Sequence, residues 1–352
     1  MLPNRNFADV PPRVSDFDER YSRQLLFYGI GKAGQTKLSA SSVAIVGCGA
    51  TGSAIASLLG RAGVGFIRII DRDFVESSNL QRQNLFDEAD AAESAPKAIA
   101  ASRKILAFNS KIVVEPLVTD LTPENIEESL ARMQLIIDGT DNFETRYLVN
   151  DFAVANAVPW IYTAAVGSQA ATMNILPGET ACLACIFPKL PAGAIESCET
   201  AGVLNSAVNF AASIAATEAL KIIIGASADL RRTLLSFDVW TNQRAEISTR
   251  RPVSSCRVCG LRDFVYLNGT KKAQITLCGR NSVQIHERHR SLDLAEVGRS
   301  LSRLGTVRQT EFVLKFWIDS YELTLFPDGR AIIKGTVDKS LAKSLYTRYV
   351  GN

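Results

Sequence analysis

Ser42-Val43-Ala44-Ile45-Val46-Gly47-Cys48-Gly49-Ala50-Thr51-Gly52, residues 42–52, is a short apolar run that ends in three spaced glycines. A run of this length, rich in β-branched residues and stopped by glycine, predicts a buried strand over 42–46. Gly47, Gly49 and Gly52 match the turn that opens a helix, where phosphate oxygens approach helix N-terminal N–H groups. Residues 53–62 are small and aliphatic, as in a helix packed closely on a sheet, and 66–70 return as a second buried strand ending at Asp71. Strand, turn, helix and strand within about thirty residues make one βαβ unit. Asp71 stands about twenty residues beyond the glycines, where an acid accepts hydrogen bonds from ribose hydroxyls. The glycines and the acid together leave NAD, FAD and ATP open.

Working outward, residues 21–38 predict a helix before the first strand. After Asp71 the alternation continues, with helices over 96–108, 123–131 and 144–156 and strands over 112–116, 135–138 and 160–164. Such alternation implies an α/β fold, a doubly wound and mostly parallel sheet covered on both faces. Beyond Val166 the pattern changes to a longer section bearing cysteines, a buried helix over 203–224 and a strand near 234–238. After Cys259-Gly260 a new set begins, with strands over 274–278, 283–286, 311–319, 321–326 and 331–334 and helices over 293–304 and 339–349. The chain therefore divides into a polar N-terminal segment 1–20, a large domain 21–265 and a small α+β domain 268–352.

The 352 residues are 47% hydrophobic, enough for a full core, and Lys plus Arg exceed Asp plus Glu by only 39 to 36. No run of five like charges occurs, so neither DNA nor an anionic membrane is expected as a partner. The first residues do not read as a secretory signal, and a cytoplasmic location is expected. Asn205, Asn209, Glu218 and Lys221 interrupt the apolar stretch 203–224, which suits a core helix better than a membrane span. The only histidines, His286 and His289, fall late, so no Ser-His-Asp or Cys-His arrangement exists in the first 285 residues.

Seven cysteines without an export signal favour metal or thiol chemistry over disulfides. Cys182-x-x-Cys185 and Cys256-x-x-Cys259 are spaced so that each turn places two thiolates on one side of a tetrahedral zinc. Four cysteine ligands leave no position for water, so the expected zinc is structural. Cys48 and Cys278 read as small packed residues.

One further section separates the nucleotides: Asp71-Arg72-Asp73-Phe74-Val75-Glu76-Ser77-Ser78-Asn79-Leu80-Gln81-Arg82-Gln83, followed by Lys97. Here the chain resembles the ThiF/MoeB/HesA family of adenylyltransferases, relatives of the ubiquitin-activating enzymes. The resemblance extends through Tyr21-Ser22-Arg23-Gln24, Asp138-Gly139-Thr140-Asp141-Asn142, Ser197-Cys198-Glu199-Thr200-Ala201-Gly202-Val203 and both cysteine pairs, covering roughly residues 18 to 260. It implies a Rossmann-like domain that uses ATP and magnesium to adenylate the C-terminal carboxylate of a small ubiquitin-like or sulfur-carrier protein ending in Gly-Gly, for sulfur transfer or conjugation.

By the same resemblance, Asp71 holds the ribose, Asn79, Arg82, Gln83 and Lys97 line the triphosphate site, and Asp141 positions magnesium. Arg23 reaches into the neighbouring subunit's site, which implies a homodimer, and a sulfur donor protein is a further expected partner. Cys198 matches a cysteine that forms a thioester or persulfide with the carrier in some relatives. The chemistry agrees, because an attacking carboxylate needs no general base and catalysis must come from screening phosphate charge and aligning the reactants. Alternatives are a small-molecule or modified-tRNA substrate, an NAD-dependent oxidoreductase, and a zinc-bearing docking protein. The small domain departs from the shortest family members. In it, residues 326–330 read as a hairpin turn, and His286 and His289 as surface residues.

Overall fold

The computed structural model describes residues 19–189, 201–269, 282–286 and 292–351. Among the described residues the first α-helices are α1 (Ser22–Leu25) and α2 (Gly31–Ser39). The sequence predicts one helix here, and the structure breaks it. Gly31 takes a φ of +55°, and Leu26, Phe27 and Tyr28 are exposed, so no buried face holds the middle turn helical. Next come β1 (Ser42–Val46), α3 (Ala50–Ala62) and β2 (Phe66–Ile70), the unit expected from the glycine-rich stretch. α4 (Glu88–Glu93), α5 (Lys97–Phe108), β3 (Val113–Leu117), α6 (Ile126–Leu130), β4 (Leu135–Asp138), α7 (Phe143–Ala155) and β5 (Trp160–Val166) continue the alternation.

β3, β2, β1, β4 and β5 lie side by side in that order and all run parallel. Val43, Ala44, Ile45, Ile67 and Ile69 are fully buried, which explains why these strands show no polar alternation: helices cover both faces. Each such branched side chain contributes about 1.5–3 kcal/mol by leaving water. β6 (Gln169–Ile175), α8 (Leu183–Ile186), α9 (Asn205–Ile224), β7 (Thr233–Asp238) and β8 (Gln243–Ser248) follow. β6, β7 and β8 extend the same sheet antiparallel, giving eight strands among the described residues.

The sequence reading missed β6 and β8 for different reasons. β6 has a middle of alanine and threonine with no aliphatic signal, and it forms by pairing along the whole of β5. β8 is exposed at every position and carries Arg244 and Glu246, the composition of an edge strand that resists further pairing. α9 is a core helix packed on α3, β5 and β6. Its Glu218, 4% exposed, accepts hydrogen bonds from Asn174 and from the Arg231 N–H and pairs with Lys221 at 2.8 Å, so the polar residues that interrupt this helix are satisfied.

β1 lies between β2 and β4, so the chain builds the sheet one way through β3 and then crosses back to the other side of β1. At such a reversal the C-terminal strand ends open a crevice. The residues after β1, β2 and β4 share this edge, which places Gly47, Asp71 and Gly139 together.

A second unit comprises residues 74–76, 88–96 and 274–352. It contains β9 (Ser282–His286), α10 (Leu294–Leu301), β10 (Thr306–Gln309), β11 (Leu314–Ile318), β12 (Tyr321–Leu325), β13 (Arg330–Lys334) and α11 (Lys339–Val350). The strands form an antiparallel sheet in the order β10-β11-β12-β13-β9 over a core that includes Phe316, Leu323, Leu325 and Tyr346. Asp293 and Asp338 cap α10 and α11 by accepting hydrogen bonds from first-turn N–H groups. The strand expected over 311–319 is β11, and β10 before it was not expected; the Thr310 hydroxyl accepts from the Phe312 and Val313 N–H groups and turns the chain between the two. Residues 326–330 form the expected turn, with Gly329 at a φ of +82°. The strand expected over 274–278, together with Cys278 and His289, lies outside the described residues.

Candidate functional site

The glycines after β1 have distinct tasks. Gly47 has a φ of +85°, and a Cβ there would lie 2.8 Å from the Gly139 carbonyl and the Thr140 nitrogen. A Cβ on Gly52 would meet the Gly47 oxygen at 1.9 Å, and one on Gly139 would meet the same oxygen at 2.3 Å. Three backbones therefore touch with no room for side chains, fixing the turn after β1 against the loop after β4. Gly49 differs: a Cβ there finds only the Gly139 oxygen, at 3.9 Å. It stands at the N-terminus of α3 with no side-chain cap and space in front of it, the open face an incoming phosphate needs.

Asp71 leaves β2 buried. Its carboxylate accepts from the Cys48 N–H at 2.5 Å and the Asp73 N–H at 2.6 Å. Two oxygens offer about four acceptor positions, so capacity remains for sugar hydroxyls. Burial pushes the carboxyl of Asp71 up, and nearby Lys97 pulls it down. Cys48 is fully buried, and burial followed by the Asp71 charge pushes its thiol well up, in keeping with a packed residue.

Lys97 opens α5. Its N–H donates to the Asp73 carbonyl at 2.8 Å, and its Nζ lies 3.2 Å from the Asp73 carboxylate. Burial works to lower its pKa, but Asp73, Asp71 and Asp141 outweigh burial and hold the ammonium charged. The structure thus gathers Gly47, Gly49, Gly52, Asp71, Lys97 and Asp141 at one edge of the sheet. Three carboxylates around one lysine leave negative charge for a hard divalent cation to offset, and Asp141 is exposed.

Asp141 rests on a rigid frame. Asp138, at the end of β4, is 2% exposed and pairs with the Arg146 guanidinium at 2.8 Å. The same guanidinium donates to the Thr140 carbonyl at 2.5 Å and the Thr163 carbonyl at 3.0 Å. Asp138 also accepts from the Thr140 N–H and hydroxyl, and Asn142 caps α7 by accepting from the Glu144 N–H at 2.8 Å. Sequence reasoning assigned nothing to Asp73, Asp138, Gly139 or Arg146. The available signal was the polar cluster at a strand end with an arginine eight positions on, inside an otherwise buried helix.

Asn79, Arg82 and Gln83 follow on the segment 77–87. The Asn79 carbonyl accepts from the Arg82 and Gln83 N–H groups at 3.0 Å, and the Arg82 guanidinium folds back onto the Ser78 carbonyl at 2.8 Å. Gln83 is 3% exposed, and its Oε1 has no hydrogen-bond partner among the described residues. A buried, unsatisfied acceptor beside this loop suits a donor from a ligand or its hydration shell. Arg23 stands apart, exposed on α1, with no ion pair to these residues among those described. Cys198 lies outside the described residues.

The four cysteines converge. Cys182 is the N-cap of α8 and Cys185 lies within it, and Cys256 and Cys259 lie on a turn braced by the Gly260 N–H donating to the Cys256 carbonyl. All four sulfurs lie within 4.8 Å of one another, with separations of 3.8, 3.7 and 3.3 Å for 182–185, 182–256 and 185–259. A tetrahedral zinc with sulfurs at about 2.3 Å requires them to be about 3.8 Å apart. The hydrogen bond from Cys182 holds the Cys185 thiol down at about 5, while that bond and burial push Cys182 far up. Two buried thiols adjoin two half-buried ones, a set that ionises together only around a cation.

A sequence profile of the ThiF family matches residues 21–258. The chain is 43% identical to the sulfur carrier protein ThiS adenylyltransferase of Bacillus subtilis over 94% of its own length and 99% of the relative's. It is 38% identical to a sulfur carrier protein adenylyltransferase of Thermus thermophilus, over 69% of this chain and 90% of that one. Among solved structures, E. coli MccB with ATP aligns with a TM-score of 0.60 and 25% identity, covering 69% of this chain and 75% of that one.

Proposed function

The chain belongs to the ThiF family, and from that premise we infer that it adenylates the C-terminal carboxylate of a ubiquitin-like sulfur carrier. The enzyme is an adenylyltransferase. A carboxylate oxygen of the carrier attacks the α-phosphorus of ATP, the bond from that phosphorus to the bridging oxygen of the β-phosphate breaks, and pyrophosphate leaves. Carrier acyl-adenylate remains. The observation that carries this reading is the open N-terminus of α3 at Gly49 beside charged Lys97 and three carboxylates.

The roles follow from placement. Asp71 has acceptor capacity left for the ribose hydroxyls, and Gly47, Gly49 and Gly52 shape the turn on which the phosphates lie. Lys97, with Asn79, Arg82 and Gln83, screens the triphosphate. Asp141 is the carboxylate we assign to magnesium, which would supply positive charge against the triphosphate when bound. Nothing acts as a general base, because the nucleophile arrives ionised.

We assign Arg23 to the site of a neighbouring copy in a homodimer. Its exposure, next to exposed Leu26, Phe27 and Tyr28, supports an interface at α1. The carrier's Gly-Gly end, a sulfur donor protein and a cytoplasmic setting complete the reading.

We assign structural zinc to Cys182, Cys185, Cys256 and Cys259. Replacing Cys182 by serine is expected to remove the bound zinc and lower the melting temperature by on the order of 10 °C. Elemental analysis and thermal unfolding check both, and full zinc occupancy in the variant would contradict the assignment. The function itself is tested by exchange of labelled pyrophosphate into ATP, expected only when a carrier ending in Gly-Gly is present. Exchange without any carrier would point to a different acceptor.

A further inference from the structure

The unit containing β9 to β13 also includes two pieces from far earlier in the chain, residues 74–76 and 88–96. These are limbs of one hairpin. Phe74 and Pro96 form an antiparallel bridge, and the Val75 N–H donates to the Ala95 carbonyl at 2.9 Å. Between the limbs runs 77–87, which carries Asn79, Arg82 and Gln83. Just outside them stand Asp73 and Lys97, the ion pair of the candidate nucleotide site.

Three separate ties hold the limbs within the second unit. The Phe74 ring stacks on Phe326, with centroids 4.4 Å apart and planes at 20°. Phe326 is 2% exposed at the end of β12, and the Arg330 guanidinium lies 5.2 Å from its ring centre. Glu76 pairs with Lys334 of β13 at 3.0 Å. The Arg308 guanidinium, on β10, donates to the Ala92 carbonyl of α4 at 2.9 Å. Anchors on three strands are more than a passing loop requires.

We propose that this unit is a clamp on the triphosphate loop: by fixing both limbs it sets the ends of 77–87 and so pre-orders Asn79, Arg82 and Gln83 for ATP. The proposal rests on the assignment of that loop to ATP. Phe326, Lys334 and Arg308 are positioning residues that act through Phe74, Glu76 and Ala92. A loop ordered before the ligand arrives loses less conformational freedom on binding, so the clamp acts on nucleotide affinity.

The test uses the full chain with Lys334→Glu, Glu76→Lys and the double reversal, all at half-exposed positions that leave the core intact. Each single reversal is expected to raise KM for ATP about two- to fivefold, with kcat and the carrier's KM unchanged, and the double reversal to restore KM. Phe326→Ala is expected to raise KM for ATP about tenfold, and Phe326→Leu less. Hydrogen exchange of 77–87 without nucleotide is expected to quicken in Lys334→Glu while 42–52 stays unchanged. An unaltered KM and unaltered exchange in an active enzyme would overturn the clamp. Quickened exchange in a protein that shows no carrier-dependent pyrophosphate exchange at all would uphold the clamp and overturn the ATP assignment.

Discussion

Replacing Asp141 by alanine is expected to cut carrier-dependent pyrophosphate release by about a hundred- to a thousandfold while leaving the melting temperature within a degree or so of the parent. The carboxylate is exposed, so its loss leaves no buried group unpaired and no cavity. It nonetheless belongs to the group of charges around Lys97, and it also acts on buried Arg146. Asp73 is exposed as well but already pairs with Lys97 at 3.2 Å, so removing Asp141 removes the carboxylate we assign to magnesium. Asp141→Asn keeps an oxygen but not the charge and is expected to fall between the two. Pyrophosphate release under saturating ATP, with a parallel thermal melt, checks the prediction. A loss below tenfold in the alanine variant would remove Asp141 from the metal site.

Arg146→Ala is expected to act the opposite way, destabilising the fold by about 3–5 kcal/mol. Arg146 and Asp138 are both almost wholly enclosed, and the guanidinium also satisfies the carbonyls of Thr140 and Thr163. Without it a carboxylate stays in the core with no cation, and burial already pushes its pKa up. Adding Asp138→Asn to the same variant is expected to recover part of the loss, since a neutral amide is less costly to enclose than a charge. Urea unfolding measures the effect as a lower midpoint at unchanged slope. An unchanged midpoint would mean that solvent reaches the pair.

The elements that carry the site were legible in the sequence because buried parallel strands are mainly apolar runs that a glycine or an aspartate ends abruptly. Residues 42–46, 66–70 and 135–138 were found for that reason, and they coincide with β1, β2 and β4. The cysteine cluster was legible because its spacing is local within each pair. What escaped depends on pairing between distant residues. Asp73 meets Lys97 through the hairpin joining residues 74–76 to 95–96, and nothing near Asp73 announces it. Gly139 stood within a stretch that carries the family resemblance but had no role of its own there, and only its approach to Gly47 and Gly52 shows why no side chain fits. Arg146 sat in a helical pattern as one more charge, although it is 5% exposed. The break at Gly31 and the edge strand β8 were hidden because exposed segments carry no hydrophobic period.

The measurement that bears most directly on the account is exchange of labelled pyrophosphate into ATP by the purified chain with magnesium, using one sulfur carrier in two forms, intact and lacking its last glycine. The account predicts label in ATP with the intact carrier and none above background with the shortened one. Equal exchange with both forms, or none with any intact Gly-Gly carrier, would contradict it.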